Sequence, residues 1–158
     1  MQEIASFSLD TSYTLSETDL GIILFPLSPG DRIFLTGDLW SGKSTFARAL
    51  LRNHFQDDTL IVRSPTYTYY QKYTHSTLEG SDIYHFDLYR IDSYEDIFLI
   101  GADDILRNPE SICIIEWPEI LAEKISPTKT IHISTLSENE RTYTICHIPP
   151  IIHPLPPR

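Results

Sequence analysis

Cysteine is scarce in this chain. Only Cys113 and Cys146 occur, and two thiols cannot make the disulfide framework of a small secreted scaffold. Each stands in an apolar, strand-like run, so both are expected to be reduced, buried small hydrophobes. Basic residues are short as well: 12 Lys and Arg face 22 Asp and Glu, a formal net charge of −10. Such a chain repels a phosphate backbone, which excludes nucleic-acid binding through a broad electrostatic surface. No apolar run approaches the ~20 residues that cross a bilayer. Met1-Gln2-Glu3 opens without the basic region of a signal peptide. No membrane association is expected, and the cytoplasm is the expected compartment. The six histidines show no metal-ligand spacing and no cysteine pair is close, so neither zinc nor an iron–sulfur cluster is supported. The serine-hydrolase elbow G-x-S-x-G is missing, and no internal repeat is visible.

What is there reads as one globular domain. The 158 residues are 41% hydrophobic and 22% charged, enough to bury a proper core. Residues 1–148 are assigned to this domain. Residues 149–158 hold Pro149, Pro150, Pro154, Pro156 and Pro157, which bars them from a helix or a sheet interior and predicts an extended, poorly ordered tail. Residues Ile4 to Leu9 alternate weakly, as an edge strand would. Ser16 is a candidate N-cap for a helix whose apolar face is Leu20, Ile23, Leu24 and Leu27, ended by Pro26, Pro29 and Gly30. Arg32 to Thr36 reads as a buried strand, and Lys43 to Phe55 as a helix with Phe46, Ala47, Leu50 and Leu51 turned to the core. Leu60–Val62 is a candidate short strand. Thr66–Tyr73 and Ile83–Tyr89 form an expected hairpin around a turn at 75–81. Ser93 caps a short helix stopped by Gly101, and an acidic turn follows at Asp103–Leu106. Ile112–Ile115 has the continuous apolar pattern of a central parallel strand. Pro118–Lys124 reads as a short helix, and Thr130–Thr135 and Thr142–Ile148 as two antiparallel strands.

The chemistry concentrates at Gly37-Asp38-Leu39-Trp40-Ser41-Gly42-Lys43-Ser44, which fits the phosphate-binding pattern G-x-x-x-x-G-K-[ST] between a strand and a helix. Glycine permits backbone conformations that a side chain forbids. Successive N–H groups can then form a nest for phosphate oxygens, reinforced by the partial charge of the helix N-terminus. Lys43 would reach the β- and γ-phosphates, Ser44 would offer a hydroxyl to Mg²⁺, and Thr45 a further phosphate contact. The bland alternative is an ordinary β–α turn. From Gly37 to Lys72, five basic residues (Lys43, Arg48, Arg52, Arg63, Lys72) outnumber three acidic ones (Asp38, Asp57, Asp58), a local +2 that a small anion could use.

Three further residues are candidates. Glu116 is the first charge after an apolar strand, so it should emerge at the strand's carboxyl end, where ligands sit in open parallel sheets. An acid there can hold Mg²⁺ as the Walker-B acid does; a solvated strand end has the same spacing. Asp87 shares a strand face with His85 and Tyr89. It is either a structural acid paired with Arg90 or a functional carboxylate. Thr66 offers a hydroxyl on a loop after the P-loop helix, where nucleotide switches sense the γ-phosphate; a turn threonine fits equally. The tyrosines between 67 and 73 read better as a hairpin face than as a stacking platform.

In combination, Gly37-Asp38-Leu39 with Gly42-Lys43-Ser44-Thr45, then Ser64-Pro65-Thr66-Tyr67, His85-Phe86-Asp87-Leu88-Tyr89-Arg90 and Glu116-Trp117-Pro118 resemble the bacterial TsaE (YjeE) family. The motifs span about half of the chain in the family's order. The resemblance implies a small ATP- and Mg²⁺-dependent P-loop ATPase required for the threonylcarbamoyladenosine modification of tRNA next to the anticodon. Its protein partners would be the TsaD–TsaB pair, with tRNA met only through that complex. Carried over by position, Lys43 holds the phosphates, Ser44 and Glu116 hold Mg²⁺, Asp87 supports hydrolysis, Thr66 belongs to a switch-like loop, and Trp117 lies on the nucleotide or partner side. The chain departs from the family at Trp40-Ser41, where Gly-Ala is usual, and at Ser44, where Thr is usual. Ser44 keeps the metal-binding hydroxyl; Trp40 replaces a flexible residue at the loop tip. The fold expected is a three-layer α/β P-loop architecture: a mostly parallel sheet, an inserted β-hairpin and antiparallel C-terminal edge strands. Two other functions fit the P-loop alone, a small-molecule kinase and a nucleotide-gated binding module with negligible catalysis.

Overall fold

Alternation along the short apolar runs builds the sheet. In the computed structural model, which describes residues 11–74 and 82–148, seven strands lie in the order β1-β7-β6-β2-β5-β4-β3. The chain runs β1 (Thr11–Ser16), a 3-10 helix (Glu17–Ile22), β2 (Arg32–Thr36), α1 (Lys43–Phe55), β3 (Tyr70–Tyr73) and β4 (Ile83–Asp87). It continues through α2 (Tyr94–Leu99), α3 (Asp103–Arg107), β5 (Ile112–Glu116), a second 3-10 helix (Pro118–Leu121), β6 (Lys129–Thr135) and β7 (Glu140–His147). The four central strands β6, β2, β5 and β4 are parallel. The outer pairs β1–β7, β6–β7 and β3–β4 are antiparallel. The α/β layering, the hairpin and the antiparallel C-terminal strands match the expectation, and the parallel part is the sheet's centre; the edge on the C-terminal side is not β7 but β1, which pairs outside it.

Two cores lie on the two faces. On one, Ile33 and Leu35 of β2, Ile112 and Ile114 of β5 and Ile131 and Ile133 of β6 pack under Phe46, Ala47, Leu50 and Leu51 of α1. On the other, Phe34, Phe86, Cys113 and Ile115 pack under Ile97 of α2, Leu106 of α3 and Leu121. The period of two places Ile83, His85 and Asp87 of β4, and Ile112, Ile114 and Glu116 of β5, on the α1 side. Helix α1 ends at Gln56, in the left-handed region at φ 51°, where its amide and that of Asp57 return to the carbonyls of Asn53 and Arg52. Arg32 is buried on β2, and its guanidinium donates to the carbonyls of Leu106 in the last turn of α3 and of Asn108 and Ser111 after it.

Several local expectations are corrected. The apolar face at Leu20, Ile23 and Leu27 is buried, but only residues 17–22 are helical, as a 3-10 turn. Gly21 and Pro26 both disfavour a continuous α-helix. The Ser16 hydroxyl donates to Asp19 instead of capping a backbone amide. Leu60–Val62 is not a strand, and Thr66–Tyr69 forms turns, so β3 begins only at Tyr70. Strand β4 stops at Asp87 because that carboxylate accepts the Tyr89 amide and bends the chain. The acidic turn at 103 is a short helix, and the helix after Pro118 ends at Leu121 as a 3-10 turn. Tyr70 and Tyr73 of the hairpin pack on opposite faces, one against each core, so the tyrosines do not make a single face, and Tyr67 is exposed. The proposed strand at 4–9, the turn at 75–81 and the tail at 149–158 lie outside the described residues. Among the described residues no helix is long and apolar enough to cross a membrane.

Cys113 is fully buried and Cys146 only partly so. Burial pushes the Cys113 thiol up to about 11, against a weaker opposite pull from Arg32. At pH 8 roughly one such thiol in a thousand is ionised. Cys113 is therefore expected to resist alkylation in the native protein and to react only on unfolding. Peptide mapping checks this; labelling of Cys113 in the folded chain as fast as Cys146 contradicts it.

Candidate functional site

The parallel strands end at one edge, and the β2–α1 loop closes over it. Gly37 leaves β2 at φ 141°, and a Cβ built there would lie 2.3 Å from the Ile133 carbonyl of β6 and 2.7 Å from the Ser41 hydroxyl. Only glycine lets the loop pass so close to β6. The Ser41 amide then closes a turn onto the Asp38 carbonyl at 3.1 Å. Trp40, inside that turn, takes φ 66° and is 85% exposed. The departure from the usual glycine thus sits in a conformation that costs an L-residue about 1–2 kcal/mol. Gly42 starts α1 at φ 105° with open space around its Cα. Arg141 of β7 ties the loop down from behind, its Nε donating to the Ser41 carbonyl at 3.2 Å.

Helix α1 aims its first N–H groups, which have no intrahelical partner, into the same space. Lys43 is buried, and its Nζ donates to the carbonyls of Gly37 at 2.7 Å and Asp38 at 2.8 Å. Its ammonium lies 4.0 Å over the Trp117 ring, a cation–π contact. Burial holds this ammonium below its ordinary range, offset by the carboxylates of Glu116, Glu119, Asp87 and Asp38.

Asp87 and Glu116 are register partners on β4 and β5, 4% and 2% exposed. Glu116 Oε2 accepts the Ser44 hydroxyl at 3.0 Å, and Oε1 accepts His85 Nε2 at 2.7 Å. Asp87 Oδ2 accepts the hydroxyls of Thr66 at 2.7 Å and Ser64 at 3.1 Å, and Oδ1 accepts the Tyr89 amide at 3.0 Å. The pairing of Asp87 with Arg90 left open by the sequence is not made: the Arg90 guanidinium lies 4.4 Å over the Tyr67 ring.

A cleft of about 540 Å³ joins these groups, with Leu39, Trp40, Ser41, Gly42, Lys43, Ser44, Thr45, Thr66, Asp87, Glu116 and Trp117 in its lining. Gly37 and Asp38 frame it through the carbonyls that hold Lys43. Of the five basic residues behind the local +2, Lys43 alone lines this cleft. Arg48 and Arg52 border a second groove beside α1, Arg63 borders a third, and Lys72 pairs with Asp82 at 2.9 Å. Arg90 and Tyr89 also line the cleft, which no motif in the sequence announces, and the same holds for His85 behind it. Its signal is a contact with a residue 31 positions away, which no local spacing carries.

The donor set fits a hard cation. Ser44, Asp87 and Glu116 offer oxygen only, and Mg²⁺ is commonly held by one or two carboxylates plus phosphates and waters. No group of three or more His, Cys, Asp or Glu that could hold a metal occurs among the described residues. Two carboxylates directly opposite each other repel, and Lys43 is the only lysine beside them in the cleft.

The chain is similar to proteins of one family. The family model described as "Threonylcarbamoyl adenosine biosynthesis protein TsaE" matches residues 13–145. A Rickettsia felis protein named "tRNA threonylcarbamoyladenosine biosynthesis protein TsaE" is 35% identical over 120 residues, 75% of this chain and 67% of that protein. A Bacillus subtilis protein of the same name is 33% identical over 118 residues, 73% of this chain and 69% of that protein. A Haemophilus influenzae protein, also so named, is 41% identical over 87 residues, 55% of this chain and 51% of its own length. The solved structure "Crystal structure of Bacillus subtilus YdiB" superposes with a TM-score of 0.62 over 90% of this chain and 88% of that one, at 24% identity, a likeness of fold.

The two loop glycines are expected to differ. Gly37→Ala drives a methyl into a backbone carbonyl and should cost about 3 kcal/mol or more. Gly42→Ala meets open space and should cost only about 1–2 kcal/mol of strain. Denaturant unfolding of both variants checks the order; equal losses would contradict the close packing of Gly37 on β6.

Proposed function

The chain belongs to the TsaE family, and we propose that it serves threonylcarbamoyladenosine biosynthesis in tRNA as a Mg²⁺-dependent ATPase of low intrinsic turnover, acting with the TsaD–TsaB pair. The observation that carries this reading is the convergence of Lys43, Ser44, Thr66, Asp87 and Glu116 on one cleft at the end of the parallel strands.

In this reading the amides from Gly42 to Thr45 and the Lys43 ammonium bind the β- and γ-phosphates. To do so, Lys43 exchanges the carbonyls of Gly37 and Asp38 for phosphate oxygens. Ser44 and Glu116 hold Mg²⁺. When bound, the metal would neutralise charge on the phosphates. Asp87 orients the attacking water, and Thr66 trades its bond to Asp87 for a role beside the γ-phosphate, tying the 64–69 loop to the nucleotide state. The aromatic rim of Trp40, Tyr89 and Trp117 keeps water from the phosphates or meets the partner. A net charge of −10 supports a division of labour in which the partners contact tRNA and this subunit supplies nucleotide-driven change. A cytoplasmic setting completes the reading.

Phosphate release measured with the chain alone and with TsaD–TsaB tests the proposal. The pair is expected to accelerate it. Lys43→Ala should weaken MgATP binding at least about tenfold, as loss of a charged hydrogen-bonding partner does. Asp87→Asn should lower turnover about 100-fold or more while leaving affinity within about threefold. Unchanged ATP affinity in Lys43→Ala contradicts the phosphate site, and phosphate appearing on an acceptor instead of free in solution replaces hydrolysis with transfer.

A further inference from the structure

His85 is wholly buried on β4. Its Nε2 lies 2.7 Å from Glu116 Oε1. Its other nitrogen, Nδ1, is the one buried side-chain nitrogen or oxygen without a hydrogen-bond partner among the described residues. Because the carboxylate only accepts, Nε2 carries a proton and donates it to Glu116, while Nδ1 meets no partner. A buried polar atom left unmatched costs about 1–3 kcal/mol. Residue 85 points to the α1 face beside Ile83 and opposite Ile114. A leucine or phenylalanine there would carry no such cost. Packing therefore does not account for a histidine at this position, and its single bond does.

That bond acts on a defined geometry. Glu116 has rotamer freedom at a strand end, and two donors remove it: His85 holds Oε1 while the Ser44 hydroxyl meets Oε2 at 3.0 Å. With Oε1 occupied, Oε2 is the oxygen presented to the cleft beside the Ser44 hydroxyl. Register explains why β4 can do this. Asp87 stands opposite Glu116, and His85 opposite Ile114, so the imidazole reaches Glu116 along the diagonal on the same face.

We propose that His85 is a positioning residue that fixes the Glu116 carboxylate for the divalent cation. This rests on the assignment of Glu116 as the metal acid made above. Residues that orient a metal-binding group from behind typically contribute about 10- to 100-fold to metal affinity.

The test is calorimetric binding of ADP to the full chain, with and without Mg²⁺, which reads no turnover. His85→Leu removes the donor and keeps the volume apolar. His85→Gln keeps an N–H at the place of Nε2, and His85→Asn is too short to reach Glu116. The expected result is that His85→Leu and His85→Asn keep their metal-free ADP affinity within about twofold and lose the Mg²⁺-dependent gain by about tenfold or more, whereas His85→Gln restores it to within about threefold. If His85→Leu does not fold, the order of Gln over Asn decides alone. Three results overturn the proposal: an unchanged Mg²⁺ dependence in His85→Asn, equal behaviour of Gln and Asn, or an equal loss of metal-free affinity. Glu116→Gln separates the two layers. If it too keeps the Mg²⁺ dependence, the metal-acid assignment falls and His85's part with it; if it alone loses the dependence, only the His85 proposal falls.

Discussion

Two buried carboxylates set side by side are the constraint on which the site depends. Asp87 and Glu116 end neighbouring parallel strands in direct register. Burying a charge costs several kcal/mol unless it is paired or well hydrogen-bonded. Here the partners are hydrogen-bond donors: hydroxyls of Ser44, Ser64 and Thr66, the imidazole of His85 and a backbone amide. The guanidinium nearest in sequence, Arg90, stacks on Tyr67 instead. The carboxylates are held in place by these donors, and the buried Lys43 ammonium lies beside them. In the proposed function, a hard cation carrying phosphates would complete such a balance.

The backbone supplies the second half. The P-loop has its shape because β6 stands directly behind it, close enough that Gly37 has no room for a Cβ. Arg141 of β7 fastens the same loop through Ser41. The C-terminal strands therefore shape the loop as well as extending the sheet toward its β1 edge. The placement of β6 beside β2 couples the β2–α1 loop to the last third of the described chain.

Much of this was legible locally. The spacing of Gly37, Gly42, Lys43 and Ser44, the apolar run before Glu116 and the periodicity of α1 each encode their structure within a few residues. What was not legible depends on distant partners. Thr66–Tyr69 has strand composition, yet forms turns while the Ser64 and Thr66 hydroxyls serve Asp87 more than 20 residues later. Residues 20–27 show helical spacing that correctly marks burial, but Gly21 and Pro26 limit the helix itself. Arg32 lies in a buried strand because carbonyls beyond residue 105 receive it. His85 carries no motif, and its role is visible only once β4 and β5 are side by side.

The central claim is that one cleft gathers phosphate, cation and water-orienting groups. A crystal structure of the chain with Mg²⁺ and a non-hydrolysable ATP analogue tests it most directly. The account predicts phosphates within the loop of residues 37–45, Lys43 Nζ moved onto them, and the metal beside Ser44 with Glu116 at its edge. Nucleotide bound elsewhere, or Lys43 still on the Gly37 and Asp38 carbonyls with nucleotide present, would contradict it.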